Sequence, residues 1–183
     1  IYFHGNNKTP YEIGYALDSK IGRIVADNIY ELETIDRIAG EKGIKAKVLF
    51  RIKPGIDAHT HDFIKTGQID CKFGFALENG EAYEAVKKIT TLENTQLVGI
   101  HCHIGSQIFD IDPFVTAAEI MMDFIGKIKN ELGVTISELN LGGGFGVRYV
   151  ESDPVINYGE KIAEVAQMIN DYCAKLGMAV RKI

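Results

Sequence analysis

The stretch from Leu141 to Gly146, LGGGFG, contains the residue types best suited to holding an anion. Three successive glycines remove every Cβ from a turn, so the backbone can bend sharply and approach a ligand closely. Consecutive N–H groups in such a turn can form a concave anion site. The pattern is equally typical of an ordinary tight turn after a strand, so by itself it leaves both interpretations open.

Two histidines and a serine lie in GIHCHIGSQ, at the end of a predicted strand from Gln96 to His103. Side chains alternate along a strand, so His101 and His103 point to the same face. An H-x-H pair can bind a metal ion, but no histidine follows His103, and this disfavours a metal site. We expect His101 to be a satisfied interior histidine. We predict that His103 contacts a ligand, because imidazole stacks on aromatic rings, and that the Ser106 hydroxyl donates to an anion.

Other polar side chains accompany these residues. Four lysines could lie near the same face: Lys8, Lys53, Lys65 and Lys72. None has apolar surroundings on both sides, as a lysine that forms a Schiff base needs, so we interpret them as solvated or ion-paired. His59 and His61 lie in a long polar segment and are expected at the surface or in a substrate lid.

The overall composition is that of an ordinary globular domain, with 183 residues, 46% hydrophobic and 25% charged. The net charge of −5 argues against a nucleic-acid or membrane-surface partner. No apolar run approaches the roughly 18 residues of a membrane span. The three cysteines, Cys71, Cys102 and Cys173, form no C-x-x-C pair, which favours a reducing, cytoplasmic setting.

Strands and helices are predicted to alternate along the whole chain. The capping-box sequence Thr9-Pro10-Tyr11-Glu12 predicts the start of the first helix. Predicted strands cover 1–3, 23–26, 45–52, 96–103, 136–141 and 178–183. Predicted helices begin at 10, 31, 78, 112 and 158.

This alternation indicates an α/β protein with a parallel sheet and right-handed crossovers. An open doubly wound sheet would need G-x-G-x-x-G after its first strand, whereas LGGGFG comes late and has the wrong spacing. The sequence therefore favours a partial (β/α)8 TIM-type barrel of about six βα units, forming one domain over residues 1–183. In a barrel the loops after the strands share one face, which collects the chemistry described above.

Several motifs together resemble the diaminopimelate decarboxylases, which are fold-type III enzymes that use pyridoxal 5'-phosphate (PLP) in an alanine-racemase-like barrel. The matching segments are FHGNNK, RIKPGIDAHTHDFIKTG followed by CKFG, GIHCHIGSQ and LNLGGGFGVRY. The resemblance implies decarboxylation of meso-diaminopimelate to L-lysine and CO2, the last step of lysine biosynthesis, by a homodimer.

The resemblance also implies roles for individual residues. His103 would stack on the pyridine ring of PLP, and Ser106 would lie near its phosphate. Gly142, Gly143 and Gly144 would match the phosphate-binding glycines, with Gly144 as the direct backbone donor. These five residues are the predicted cofactor site, and no metal ligand is predicted.

Some features of the resembled family have no match in this sequence. The lysine of its Lys-Ala-Asn motif on the first barrel strand, its EPGR segment and its C-terminal β-domain are absent. We therefore expect an internal fragment that lacks the first strands, has no identifiable catalytic residue and is inactive by itself, binding PLP weakly and noncovalently. Alternatives are a decarboxylase of ornithine, arginine or carboxynorspermidine, a noncatalytic PLP-binding module, and a metal-dependent hydrolase that uses His101 and His103.

Overall fold

The computed structural model describes residues 1–56, 72–177 and 179. Its strands are β1 (Tyr2–Phe3), β2 (Arg23–Ala26), β3 (Ala46–Lys53), β4 (Phe75–Ala76), β5 (Thr95–His101) and β6 (Glu138–Asn140). Its helices are α1 (Pro10–Asp18), α2 (Ile29–Glu41), α3 (Glu81–Ile89), α4 (Asp112–Leu132) and α5 (Tyr158–Lys175).

The strands form one parallel sheet in the order β1-β2-β3-β5-β6, while β4 pairs with the last residues of β3. The sheet is curled into a half-barrel, which confirms the predicted partial TIM-type barrel. Arg51 on β3 pairs in register with His101 on β5, which pairs with Asn140 on β6. These three residues therefore lie at one level of the sheet, close to the carboxyl ends of their strands.

Local signals explain where the helices begin and end. Thr9 caps α1 in a full capping box with Glu12, as predicted. The Asn28 side chain accepts the Glu31 N–H at the start of α2. Gly133 ends α4 in the left-handed conformation, at φ 67°, that glycine adopts without steric cost.

The core has a helix side and an inner side. Most buried apolar residues form one cluster between the sheet and the helices, with Phe50, Phe75 and Phe114 among its largest members. On the inner side of the curl, Val25, Leu49 and Val98 form a second, small cluster. Since residues alternate along each strand, the inner side also receives the polar residues that follow this cluster toward the strand ends.

The structure differs from the sequence prediction most clearly at β4 and β5. The two-residue strand β4 was not predicted, because it lies at the end of the long polar segment. β5 ends at His101, two residues before the predicted end, because the chain then turns to meet the loop after β6. All but one residue of the last predicted strand (178–183), together with His59, His61, Lys65 and Cys71, lie outside the described residues. Within the part that is described, no helix has the length and apolar character needed to cross a membrane.

Candidate cofactor site

Two loops are joined at the carboxyl end of the sheet, one after β5 and one after β6. The Ile108 N–H donates to the Gly144 carbonyl at 3.0 Å, and the Gly146 N–H donates to the Ile108 carbonyl at 2.8 Å. A side-chain clamp continues this pairing, since the Gln107 amide both donates to the Val147 carbonyl (3.1 Å) and accepts the Val147 N–H (2.7 Å). The predicted HIGSQ and LGGGFG motifs therefore form one continuous structure.

The three glycines meet different steric demands. A Cβ on Gly142 would lie 2.5 Å from the Cys102 carbonyl oxygen, and one on Gly144 would lie 2.0 Å from that of Gly105. Both distances are shorter than any real contact of a Cβ atom, so only glycine fits at these two positions. A Cβ on Gly143 would meet nothing within 4 Å, although its φ of 132° still favours glycine. The turn is therefore pressed against the neighbouring loop on one side and open on the other.

The N–H groups of the turn are not equally available. The Gly142 N–H donates to Asn140 Oδ1 at 2.8 Å, and the Gly143 N–H donates to the Leu141 carbonyl at 3.0 Å. Among the described residues, the Gly144 N–H has no protein acceptor. This leaves Gly144 as the donor of the three that a bound anion could use.

His103 lies directly against this turn and is half-buried. Its Nδ1 is 3.0 Å from the position that a Cβ on Gly142 would occupy. Burial lowers the pKa of His103, and the neighbouring Arg51 and His4 side chains lower it further. The imidazole is therefore neutral at neutral pH. Ser106 follows on the same loop and is exposed.

His101 is the last residue of β5, two positions before His103, and it is buried, as expected of an interior histidine. Its Nδ1 is 3.1 Å from Asn140 Oδ1, and its ring makes an edge contact with the His4 ring at 4.7 Å between centroids. Burial lowers the pKa of His101 to about 3, with smaller contributions from nearby charges. This side chain is therefore a neutral structural support.

Sequence reasoning missed three polar residues beside the site. Arg51 lies over the Phe73 ring at 4.2 Å, and Asp27 is buried and accepts the Gly74 N–H at 2.9 Å. Asn140 contacts both His101 and the glycine turn. All three lie within two residues of a strand end. The alternation of side chains along each strand, rather than the loop motifs, was therefore the signal that could have found them.

The Lys8 side chain is buried and ion-paired. Its Nζ is 2.5 Å from Glu31 Oε1 and also donates to the Gly5 and Val25 carbonyls, at 2.6 and 2.8 Å. The prediction that this lysine is solvated or ion-paired is confirmed, since it is ion-paired. In the described parts of the chain, no cluster of three His, Cys, Asp or Glu residues could hold a metal ion.

A family model described as "Pyridoxal-dependent decarboxylase, pyridoxal binding domain" matches residues 1–182. The chain belongs to this family. The diaminopimelate decarboxylase of Bacillus methanolicus is 47% identical over 180 residues, which are 96% of this chain and 42% of that relative. The Bacillus subtilis enzyme of the same name is 43% identical over the whole chain and 42% of its own length. This member of the pyridoxal-dependent decarboxylases thus spans about two fifths of those relatives.

Solved structures agree with this assignment. The diaminopimelate decarboxylase of M. jannaschii, in co-complex with L-lysine, matches with a TM-score of 0.89 and 36% identity, over 100% of this chain and 41% of that one. The Helicobacter pylori enzyme complexed with L-lysine has a TM-score of 0.85 and 33% identity, over 100% and 44%. The resemblance read from the motifs is confirmed, and it implies PLP as the cofactor of the family.

The described residues fit the phosphate end of PLP. The family's cofactor carries an anionic phosphate, and the turn offers the Gly144 N–H and open space at Gly143. The exposed Ser106 hydroxyl stands on the loop bonded to that turn, and the neutral His103 ring can lie flat on an aromatic ring.

Proposed function

We propose that this chain is the cofactor-binding part of a diaminopimelate decarboxylase, which converts meso-diaminopimelate to L-lysine and CO2 in lysine biosynthesis. One observation carries the proposal: an open glycine turn with an available N–H lies directly beside a neutral histidine. The names of the relatives support the substrate. Two of the solved structures are described as holding L-lysine, the expected product.

Each predicted site residue has a distinct task in this proposal. The Gly144 N–H and the Ser106 hydroxyl bind the phosphate, while Gly142 and Gly143 give the turn its shape and its open side. His103 stacks on the pyridine ring. PLP, when bound, supplies an electron-withdrawing ring that accepts the electron pair left when CO2 departs.

The protonation state of His103 matters for this task. A protonated imidazole would repel the protonated pyridine ring of the cofactor, whereas a neutral one stacks without that cost. Burial and the Arg51 charge both keep the pKa of His103 below its usual value. The surrounding residues therefore hold the ring in the form that the stacking role needs.

The test compares PLP with pyridoxal, which lacks the phosphate. We expect the protein to bind PLP at least tenfold more tightly, about 1.4 kcal/mol, because the turn recognises the phosphate. Equal affinity for the two ligands would overturn the proposed site. After borohydride reduction and digestion, we expect no PLP adduct on any lysine of residues 1–183.

Activity separates this proposal from the related decarboxylases. The complete polypeptide that contains this chain should release CO2 from meso-diaminopimelate faster than from ornithine, arginine or carboxynorspermidine. If the protein prefers one of these other amino acids, that amino acid is the substrate instead of diaminopimelate, and the proposed cofactor site is unaffected. If the complete polypeptide binds PLP but decarboxylates none of these amino acids, a noncatalytic PLP-binding module is favoured.

We further propose that the complete protein is a homodimer.

A further inference from the structure

We propose that Asn140 is a positioning residue for the phosphate cradle, because it fixes the first N–H of the glycine turn and so determines which N–H faces the anion. The inference rests on the proposed function of that turn. Asn140 is the last residue of β6, so its backbone is held by the sheet while its side chain reaches into the loop.

The Asn140 side-chain oxygen accepts two hydrogen bonds. One comes from the Gly142 N–H at 2.8 Å, two residues further along the chain, and the other from His101 Nδ1 at 3.1 Å. A side-chain oxygen that binds the N–H two residues ahead replaces a backbone turn bond and fixes the local bend. The Gly142 N–H is thereby directed inward, away from the open side of the turn.

This geometry also fixes the tautomer of His101. The Gly142 N–H can only donate, so the atom that faces it must be the amide oxygen of Asn140. An oxygen cannot donate, so His101 must carry its proton on Nδ1. The neutral His101, buried against His4, in turn holds the amide in place.

A neutral amide suits this position better than a carboxylate. An aspartate could accept the same two hydrogen bonds and keep the turn in shape. It would, however, place a negative charge directly behind a site proposed to hold a phosphate, and the two charges would repel each other. The side-chain charge can therefore be separated from the side-chain geometry by one isosteric substitution.

The experiment measures the affinities of the full protein for PLP and for pyridoxal in three variants. Asn140→Asp should weaken PLP binding on the order of tenfold and change pyridoxal binding by less than about twofold, because only the phosphate feels the added charge. Asn140→Leu, which lacks the acceptor, should also weaken PLP selectively. Asn170→Asp adds the same charge at an exposed site on α5 and should behave as wild type. An unchanged ratio of PLP to pyridoxal affinity in Asn140→Leu, which removes the acceptor of the Gly142 N–H, would overturn the inference.

Long-range 1H–15N NMR of the histidine rings gives a second, ligand-free readout. We expect the Nδ1–H tautomer for His101 in the wild type and in Asn140→Asp, and its loss in Asn140→Leu. An Nε2–H tautomer in the wild type would contradict the proposed hydrogen bond. If the wild type does not prefer PLP to pyridoxal, the proposed function fails instead, whatever the tautomer.

Discussion

At the scale of single residues, Gly143 and Gly144 offer a matched comparison. Both have positive φ, so an alanine at either position carries backbone strain of about 1–3 kcal/mol. Only at Gly144 would the new Cβ also collide with a carbonyl oxygen, that of Gly105, at 2.0 Å. The collision must separate the two loops that form the candidate site.

We therefore expect Gly144→Ala to lower the free energy of unfolding by at least about 2 kcal/mol more than Gly143→Ala does. PLP binding should be lost in Gly144→Ala and only weakened in Gly143→Ala. Urea unfolding and PLP titration of the two variants check this. Equal losses of unfolding free energy in the two variants would show that the loop containing Gly105 moves away from the new Cβ without a cost in stability.

The buried His101 predicts a loss of stability in acid. Its folded pKa of about 3 lies below the ordinary value of 6.5, so the unfolded chain binds the proton more readily. Stability is therefore full above pH 6.5 and falls as the pH drops below it, by about 2 kcal/mol at pH 5 from this residue. Unfolding of His101→Gln, which can still donate to Asn140, should depend less on pH between 7 and 5. A pH dependence identical to that of the wild type would assign the loss to other groups.

The five predicted cofactor residues illustrate what a sequence reveals at this scale. Glycine runs and an H-x-H pair are visible because their residue types are unusual together. The supports behind them, Asn140 and Arg51, are common polar residues whose meaning depends on strand register, and register is a property of the folded sheet.

At the scale of elements, Lys8 joins three parts of the fold. Its ammonium group holds the loop after β1 through Gly5, the end of β2 through Val25 and the first turn of α2 through Glu31. Both side chains of the ion pair are almost fully buried, at 2% and 3% exposed. Burial raises the pKa of Glu31, and the Lys8 charge opposes that rise.

Lys8→Met should therefore lower the free energy of unfolding by about 3–5 kcal/mol, because a buried carboxylate loses its cation. The deficit should be smaller at pH 5 than at pH 8, since the raised pKa lets Glu31 take up a proton as the pH falls. Adding Glu31→Gln should recover part of the loss. Lys42→Met, which breaks the more exposed pair with Asp18, is the control and should change stability by no more than about 1 kcal/mol. A deficit in Lys8→Met that does not depend on pH would contradict this account.

The order and type of the elements were largely predictable, because apolar periodicity, a capping box and terminal glycines are local signals. All five predicted helices and the first five predicted strands lie where the sequence placed them, within a few residues. β4 was not predicted, because two residues are too few to show a period, and they pair with β3 only through tertiary contact.

At the scale of the whole molecule, side-chain contacts link non-neighbouring strands across the inside of the curl. Arg23 on β2 donates to Glu138 on β6 through Nε at 2.9 Å and through Nη2, although these strands are not neighbours. The Tyr2 hydroxyl on β1 donates to the same carboxylate at 3.2 Å. No local sequence pattern predicts such contacts, because they join residues more than one hundred positions apart.

This pairing predicts that the effects of Arg23 and Glu138 on stability depend on each other, because the curl of the sheet brings the two side chains together. A double-mutant cycle of Arg23→Met and Glu138→Gln should give a coupling energy of about 2 kcal/mol, because the carboxylate is buried and the contact is bidentate. The exposed pair Arg37 and Glu41 within α2 is the matched control and should give about 0.5 kcal/mol.

Hydrogen exchange distinguishes a contact that curves the whole sheet from one that is only locally stabilising. The Arg23→Met variant should exchange its β1 and β6 amides faster while the central strand β3 stays protected, because the ends of the sheet lose the link between them. Uniform loss of protection would indicate general destabilisation instead. A coupling energy no larger than that of the α2 pair would show that the curl is set by the helices packed outside the sheet, and that the polar contacts inside follow from it.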